Sequence, residues 1–409
     1  MHHAHRSCRS CGQLGLTPVV SLGQTPLARG LLSADELGCQ EATYPLDLVV
    51  CPSCALVQIS ETIAETSCAG TVASYDAATD PVIDDAKELA TDTIDRCGLN
   101  CRDLVVQVAS GDGYLLRHYQ RADVPVLGIE GSASLARTVQ CELGIPTLTG
   151  RFSRDLALRL EACGQPADVV HVHHALAGVA DLSGFVAGLH MLLKPEGVAI
   201  VEVPYVRDMV ERVEFDTIYH EHLCYFSLLS LVALFERHGL VVTDVERRPA
   251  CGGSLRIFAA RQGVASDAVG RLMAEERALG LDQADYYRAF GHRVDALRAE
   301  LKALLGKLKA QGCRIVAYGA SAKESGLLNA CGIGREMIDF VVDRSAGKQG
   351  RYTPGAHLAI HSPDKLVETR PDYALLLDWH SADEILARHE RYRESGGHFI
   401  IPIPQLRVA

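Results

Sequence analysis

Tyr219, His220, Glu221 and His222 stand in one uninterrupted run, followed by Leu223, Cys224, Tyr225 and Phe226. Polar, mostly titratable side chains beside an apolar stretch are costly to bury unless they serve a purpose. A histidine of near-neutral pKa can take a proton from a carbon next to a carbonyl. A neighbouring glutamate can orient that imidazole or hold a sugar hydroxyl, and a tyrosine can donate to a developing enolate oxygen. The H-E-x-H order lacks the H-E-x-x-H spacing that puts two zinc ligands on one helix face, which argues against a catalytic metal. The competing reading of this run is a helix N-terminus carrying surface histidines.

A second chemical signal comes from cysteine. Cys8-Arg-Ser-Cys11 and Cys51-Pro-Ser-Cys54 form two C-x-x-C knuckles separated by 39 residues. Such a knuckle lets two thiolates reach one ion, and two knuckles complete a tetrahedral zinc site. Four thiolates leave no open position, so the expected Zn²⁺ is structural rather than catalytic. The intervening stretch, with Gly23, Pro26, Gly30 and Gly38, reads as loop-rich and short of core, a deficit that a metal offsets. Chance pairing within a chain of 14 cysteines is the alternative.

The elements that would hold a cofactor lie in the middle third. Residues 104–109, Leu-Val-Val-Gln-Val-Ala, read as a buried parallel strand. Ser110-Gly111-Asp112-Gly113 follows as a turn, and Tyr114 to Gln120 as a helix. That order presents backbone N–H groups to a ligand at the carboxyl edge of a sheet. The next strand, Val126 to Glu130, ends in a carboxylate able to accept from both hydroxyls of a ribose. The short gap and the lack of G-x-G-x-x-G argue against a dinucleotide. Asp168 to His171 and Val198 to Val203, the latter after the turn Lys194-Pro-Glu-Gly197, read as further strands. The order matches the class I methyltransferase pattern; an α/β fold with an unrelated ligand is the competing reading.

In the last third, Leu297, Leu301, Leu304, Leu305 and Leu308 recur at helical spacing within 291–311 and read as a packing stripe. Cys313 to Tyr318 reads as a strand, Gly319-Ala-Ser-Ala-Lys323 as a turn able to receive an anion, and Ile338 to Asp343 as the next strand. Residues 373–377 and 398–402 complete a second Rossmann-like unit. A tight structural turn with a solvated lysine is the alternative for Lys323.

Length and composition bound these readings. A chain of 409 residues, 48% hydrophobic and 22% charged, implies two or three α/β domains. A net charge of −11 argues against general nucleic-acid binding. No apolar run reaches the roughly 18 residues of a membrane span. The polar, His-rich stretch Met1 to Gly12 lacks the apolar segment of a signal peptide, so a cytoplasmic location is expected, with thiols reduced or metal-bound. The sequence leaves the oligomeric state open, and a monomer is compatible with it.

With these residues in view, the chain resembles the sugar C-methyltransferase family that acts on nucleotide-linked keto-deoxysugars in antibiotic biosynthesis. The carriers are the paired knuckles, Ser110-Gly-Asp-Gly-Tyr114, Tyr219-His-Glu-His-Leu223, Gly252-Gly-Ser-Leu-Arg256, Gly319-Ala-Ser-Ala-Lys323 and Val342 to Tyr352. The resemblance implies a zinc-binding module over 1–70, a central class I S-adenosylmethionine domain over 71–260 and a C-terminal Rossmann-like nucleotide-sugar domain over 261–409. It implies removal of a proton next to the 4-keto group, often at C3, and attack of the resulting carbon on the cofactor's methyl. On this basis His222 is the candidate base, with Glu221 and Tyr219 positioning substrate or stabilising an enolate. Ser110, Gly111, Asp112, Gly113, Glu130 and His173 are candidate cofactor contacts. Tyr75, His174, Arg256, Lys323 and Arg344 are candidate substrate contacts, the last two toward the diphosphate.

Several positions depart from the family pattern. Gln107 replaces a glutamate in the cofactor strand, and Gly178 an expected active-site histidine, with His173 and His174 nearby in sequence. Cys251 stands where His is expected before the Gly-Gly-Ser, Glu324 replaces a glycine, and His380 follows Trp379 where Asn is expected. A changed acceptor, a different S-adenosylmethionine reaction, or a non-catalytic nucleotide-sugar binder are the alternatives these changes raise.

Overall fold

The computed structural model describes residues 2–4, 7–28, 30–63, 80–249 and 252–409. Tyr75 and Cys251 lie outside them. Near the N-terminus, β1 (His2–Ala4), β2 (Thr17–Pro26), β3 (Thr43–Val50), β4 (Val57–Ile59) and β5 (Glu61–Ile63) form two small sheets, with β1 on β5 and β3 antiparallel to both β2 and β4. Leu48, Leu56, Val57 and Ile59 are almost wholly buried there, each stabilising the fold by about 1.5–3 kcal/mol.

The central unit begins with α1 (Asp80–Cys97). Its parallel strands are β6 (Val105–Val108), β7 (Val126–Glu130), β8 (Thr147–Thr149), β9 (Ala167–His173) and β10 (Leu193–Pro204). After β10 come β11 (Cys224–Tyr225), β12 (Val241–Arg248) and β13 (Ser254–Ala260). The seven-stranded order is β12-β13-β10-β9-β6-β7-β8, with β13 antiparallel to both neighbours. β6 and β9 read as apolar runs because both faces are covered by helices, among them α2 (Leu116–Arg121), α3 (Ala133–Leu143), α4 (Arg154–Ala162) and α5 (Leu182–Leu192). The expected turn at Lys194–Gly197 is a register shift within β10 between Leu193 and Val198.

β11 does not join this sheet. It pairs antiparallel with β4, so the four-stranded N-terminal sheet runs β11-β4-β3-β2. Before it comes α6 (Val206–Arg212) and after it α7 (Leu228–Glu236). The buried Glu276 carboxylate accepts from Tyr205 Oη at 2.9 Å and from the α7 amides of Leu228 at 2.8 Å and Leu229 at 2.9 Å.

The last third opens with α8 (Asp267–Leu279) and α9 (Ala284–Ala310), the latter longer than its leucine stripe indicates. α9 lies on β2, and Gly291 is what allows this: a Cβ there would sit 2.3 Å from the Val19 carbonyl oxygen. The second large sheet is β16-β15-β14-β17-β18-β19, built from β14 (Ile315–Tyr318), β15 (Val341–Val342), β16 (Ile360–His361), β17 (Tyr373–Leu376), β18 (His398–Ile401) and β19 (Arg407–Val408). It is parallel except for β19, and α10 (Ala322–Cys331) follows β14. The N-terminal sheets also reach this unit, where Glu41 accepts from His357 Nε2 at 2.6 Å and from the Gly355 amide at 2.7 Å. Among the described residues no helix is long and apolar enough to cross a membrane.

Candidate active site and metal centre

The four knuckle cysteines converge, their sulfurs all lying within 4.8 Å of one another. Cys8 Sγ is 3.5 Å from Cys54 Sγ, and Cys11 Sγ is 3.6 Å from Cys51 Sγ. A tetrahedron of Zn–S bonds of about 2.3 Å has edges of about 3.8 Å, so this set fits a tetrathiolate zinc ion. Cys8, Cys51 and Cys54 are buried. The hydrogen bond from Cys8, aided by others from Cys11 and Cys51, holds the Cys54 thiol at about 5, while the same bond raises Cys8 and burial pushes Cys51 up to about 11, so the set shares its negative charge through one thiolate at Cys54.

At the carboxyl end of β6 the chain turns sharply, and Ala109, Gly111 and Gly113 all take left-handed φ values. Glu130, at the end of β7, accepts from the Gly111 amide at 3.0 Å and from the Ser132 amide at 2.8 Å. Asp112 accepts from the Tyr114 amide at 3.1 Å. Ser110, Gly111, Asp112, Gly113 and Glu130 thus form one constellation at the carboxyl edge of the sheet. It has the acceptor and the amide-lined turn that an adenosyl ribose and an amino-acid tail need. Gln107 is buried beneath the loop, and its amide has no protein partner among the described residues.

His173 is less simply placed. Its Nε2 lies 3.2 Å from His171 Nδ1, whose Nε2 in turn lies 2.8 Å from Tyr119 Oη. Burial lowers His173 to about 4, so it is neutral at working pH. Glu202 continues the row. Burial pushes its carboxyl up, but Arg256 and then His173 and His174 outweigh it and hold it at about 2. Arg256 is buried with Nε 2.9 Å from Glu202 Oε2 and its terminal nitrogen 2.8 Å from Asp85 Oδ2. Its guanidinium is therefore engaged by the protein's own carboxylates. His174, left-handed at φ 54°, is half-exposed and lies 3.8 Å from Glu202.

The Tyr219–His222 run is a turn rather than a helix start, closed by the His222 amide bonding the Tyr219 carbonyl at 3.0 Å. The His222 ring stacks on Tyr219 at 5.7 Å and meets the edge of Tyr225 at 4.4 Å. Tyr225 donates to the Thr217 carbonyl at 3.1 Å, and burial raises its phenol well above the usual value, so it stays neutral. Gly178 abuts the same turn: a Cβ on it would lie 3.1 Å from the Glu221 carbonyl oxygen. The position expected to carry histidine therefore does face Tyr219–His222. His220, which sequence reasoning passed over, is buried and donates through Nε2 to the Pro45 carbonyl of β3 at 3.1 Å.

Lys323 and Arg344 follow neighbouring strands, β14 and β15, but engage different partners. Lys323 acts electrostatically on Glu214, Asp216 and His380, where the C-terminal unit meets the central one. Arg344 is exposed, pairs with Glu384 at 3.2 Å, and lines a groove of about 600 Å³ with Tyr318, Arg388 and His389. The turn before α10 is capped by the chain itself: Asp343 accepts from the Ala320 amide at 2.8 Å, and Glu324 takes the Ser321 amide.

This fold and this loop define an S-adenosylmethionine-dependent methyltransferase of class I with a structural zinc module. Family models described as "Putative zinc binding domain", "Methyltransferase domain" and "C-methyltransferase C-terminal domain" match residues 8–67, 83–245 and 249–404. The chain is 36% identical to C-methyltransferase NovU of Streptomyces niveus over 404 residues, 98% of this chain and 96% of that protein. It belongs to that family of C-methyltransferases and is an S-adenosylmethionine-dependent enzyme. Among solved structures, the glycopeptide N-methyltransferase MtfA with S-adenosylmethionine is 15% identical, covering 47% of this chain and 99% of that one at TM-score 0.35. The PH0226 protein of Pyrococcus horikoshii OT3 is 12% identical, covering 49% of this chain and 100% of that one at TM-score 0.37. Those two likenesses are too slight to bear on function.

Proposed function

We propose that the protein methylates a nucleotide-linked 4-keto-deoxysugar on the carbon next to the ketone, at C3, as a step in antibiotic or deoxysugar biosynthesis. The observation that carries this reading is the His222 imidazole held between Tyr219 and Tyr225 in a turn that abuts Gly178. His222 takes the proton from the carbon, leaving an enolate whose oxygen accepts from Tyr219, while Glu221 holds a sugar hydroxyl. S-adenosylmethionine, when bound by Ser110–Gly113 and Glu130, supplies an electrophilic methyl group. With that group bound, the enolate carbon would take the methyl and S-adenosylhomocysteine would be left, while His222 gives its proton to water. Lys323 neutralises the diphosphate. Incubation with labelled S-adenosylmethionine and a panel of dTDP-4-keto sugars tests the reading: labelled product is expected, and its absence with folded, cofactor-loaded protein contradicts it.

The same scaffold acting on a different acceptor is the second reading. Gly178 favours it, since it removes an imidazole from the turn that holds His222. Product mass separates the two, a gain of one CH₂ unit on a keto sugar supporting the first.

A further inference from the structure

The turn that carries His222 leads into a strand of the zinc module's sheet, and only Phe226, beyond that strand, bridges back to Tyr205 at the end of β10. Cys224 and Tyr225 pair with Gln58 and Val57 of β4, and the Ile59 amide donates to the Leu223 carbonyl at 3.0 Å. On the other side of the turn, His220 is fixed to Pro45 of β3 and meets the Tyr44 ring edge-on at 5.9 Å. The catalytic run is thus held at both ends by neighbouring strands of one hairpin.

That hairpin is closed by the metal ligands. Cys51 and Cys54 form its tip between β3 and β4, where the Cys51 amide bonds the Leu56 carbonyl at 2.9 Å and the Ala55 amide bonds the Cys51 carbonyl at 3.0 Å. The other knuckle grips β4 directly. The Arg9 amide donates to the buried Gln58 side chain at 2.9 Å, and the Arg9 guanidinium donates to the carbonyls of Ile59 at 3.3 Å and Glu61 at 2.8 Å. Arg9 sits between two ligands, Cys8 and Cys11, so its direction depends on the ion that joins the knuckles. The cofactor constellation at Gly111 and Glu130 rests on β6 and β7 and makes none of these bonds.

We propose that the zinc ion, through β4 and His220, sets the position of the base-bearing turn, so that metal occupancy controls methyl transfer separately from cofactor binding. His220 is a positioning residue: it holds the turn by its bond to Pro45. The proposal rests on the reading of His222 as the base, and its test includes a measurement independent of turnover.

Hydrogen exchange is compared in the full-length protein with zinc bound and after chelation. The amides of 57–59 and 222–226 are expected to exchange at least about tenfold faster without metal, while those of β6 and β7 keep their protection. S-adenosylhomocysteine should bind within about twofold of its original affinity, and turnover should fall by about 10²-fold, the scale of a misplaced catalytic group. Unchanged exchange at 222–226 overturns the proposal, and so does loss of protection throughout β6 and β7. The zinc-loaded His220→Ala variant should lose kcat about 10²-fold with KM little changed and one zinc per chain retained. His220→Gln, whose amide can donate to Pro45, should recover most of it. Full kcat in His220→Ala overturns the positioning role. If no sugar in the panel is methylated, the exchange measurement still decides the structural coupling, and only the reading of His222 falls.

Discussion

Trp379 Nε1 donates to Asp216 Oδ2 across 2.8 Å, joining the C-terminal unit to the loop just before Tyr219. Both side chains are buried. Burial raises the Asp216 carboxyl, and Lys323 and this bond offset only part of that rise. Removing the donor leaves a buried acceptor unpaired, which costs about 1–3 kcal/mol. Trp379→Phe should therefore lower the calorimetric melting temperature by several degrees. An unchanged melting temperature would show that the bond does not tie the two units together.

Glu214 lies beside the same contact. Burial, followed by Asp216, raises it to about 8 against the opposing charges of Lys323 and Arg212. A carboxyl raised in the folded state contributes stability that is fully present below its unfolded value of about 4.5 and is lost as pH rises through 8. Glu214→Gln removes this loss. The variant's melting temperature relative to the natural chain should rise by about 3 °C or more between pH 5 and pH 8. A difference that stays constant with pH would assign the proton elsewhere.

Much of this architecture was legible in the sequence. Each knuckle pairs its own two thiols because C-x-x-C geometry is local, and β6, β7 and β9 fall where apolar runs and a terminal Glu130 indicate them. The departure of β11 was not legible: two residues, Cys224 and Tyr225, cross to a sheet whose other strands lie more than 160 positions earlier, and no periodicity encodes such pairing. His220 was missed for the same reason, since its partner is a backbone carbonyl at Pro45. Arg256 illustrates the reverse. Its motif pointed to substrate, yet Asp85 and Glu202 occupy its guanidinium, and sequence spacing cannot show that Asp85 on α1 reaches β13.

Glu130 should govern cofactor affinity. It positions Gly111 through a 3.0 Å bond and ends β7, where the proposed site places the cofactor's ribose. Glu130→Ala loses hydrogen bonds to a charged group worth about 1.5–3 kcal/mol in sum, so S-adenosylhomocysteine should bind about 10–100-fold more weakly by calorimetry. Affinity within twofold of the natural protein would remove Glu130 from the cofactor site.

Gly178 should be sensitive to even one added carbon. A Cβ placed 3.1 Å from the Glu221 carbonyl forces the Tyr219–His222 turn to shift by a few tenths of an ångström. Gly178→Ala should reduce kcat about tenfold while cofactor affinity and melting temperature stay close to the natural values. Undiminished kcat would mean that the turn accommodates the change without consequence for His222.

Carbon methylation through a base at His222 is read most directly by NMR of the product formed from a dTDP-4-keto sugar and ¹³C-methyl S-adenosylmethionine. A labelled methyl bonded to the carbon beside the ketone is expected, with formation slowed about 10²–10⁴-fold in His222→Asn. A methyl group on oxygen or nitrogen, or an undiminished rate in that variant, would contradict it.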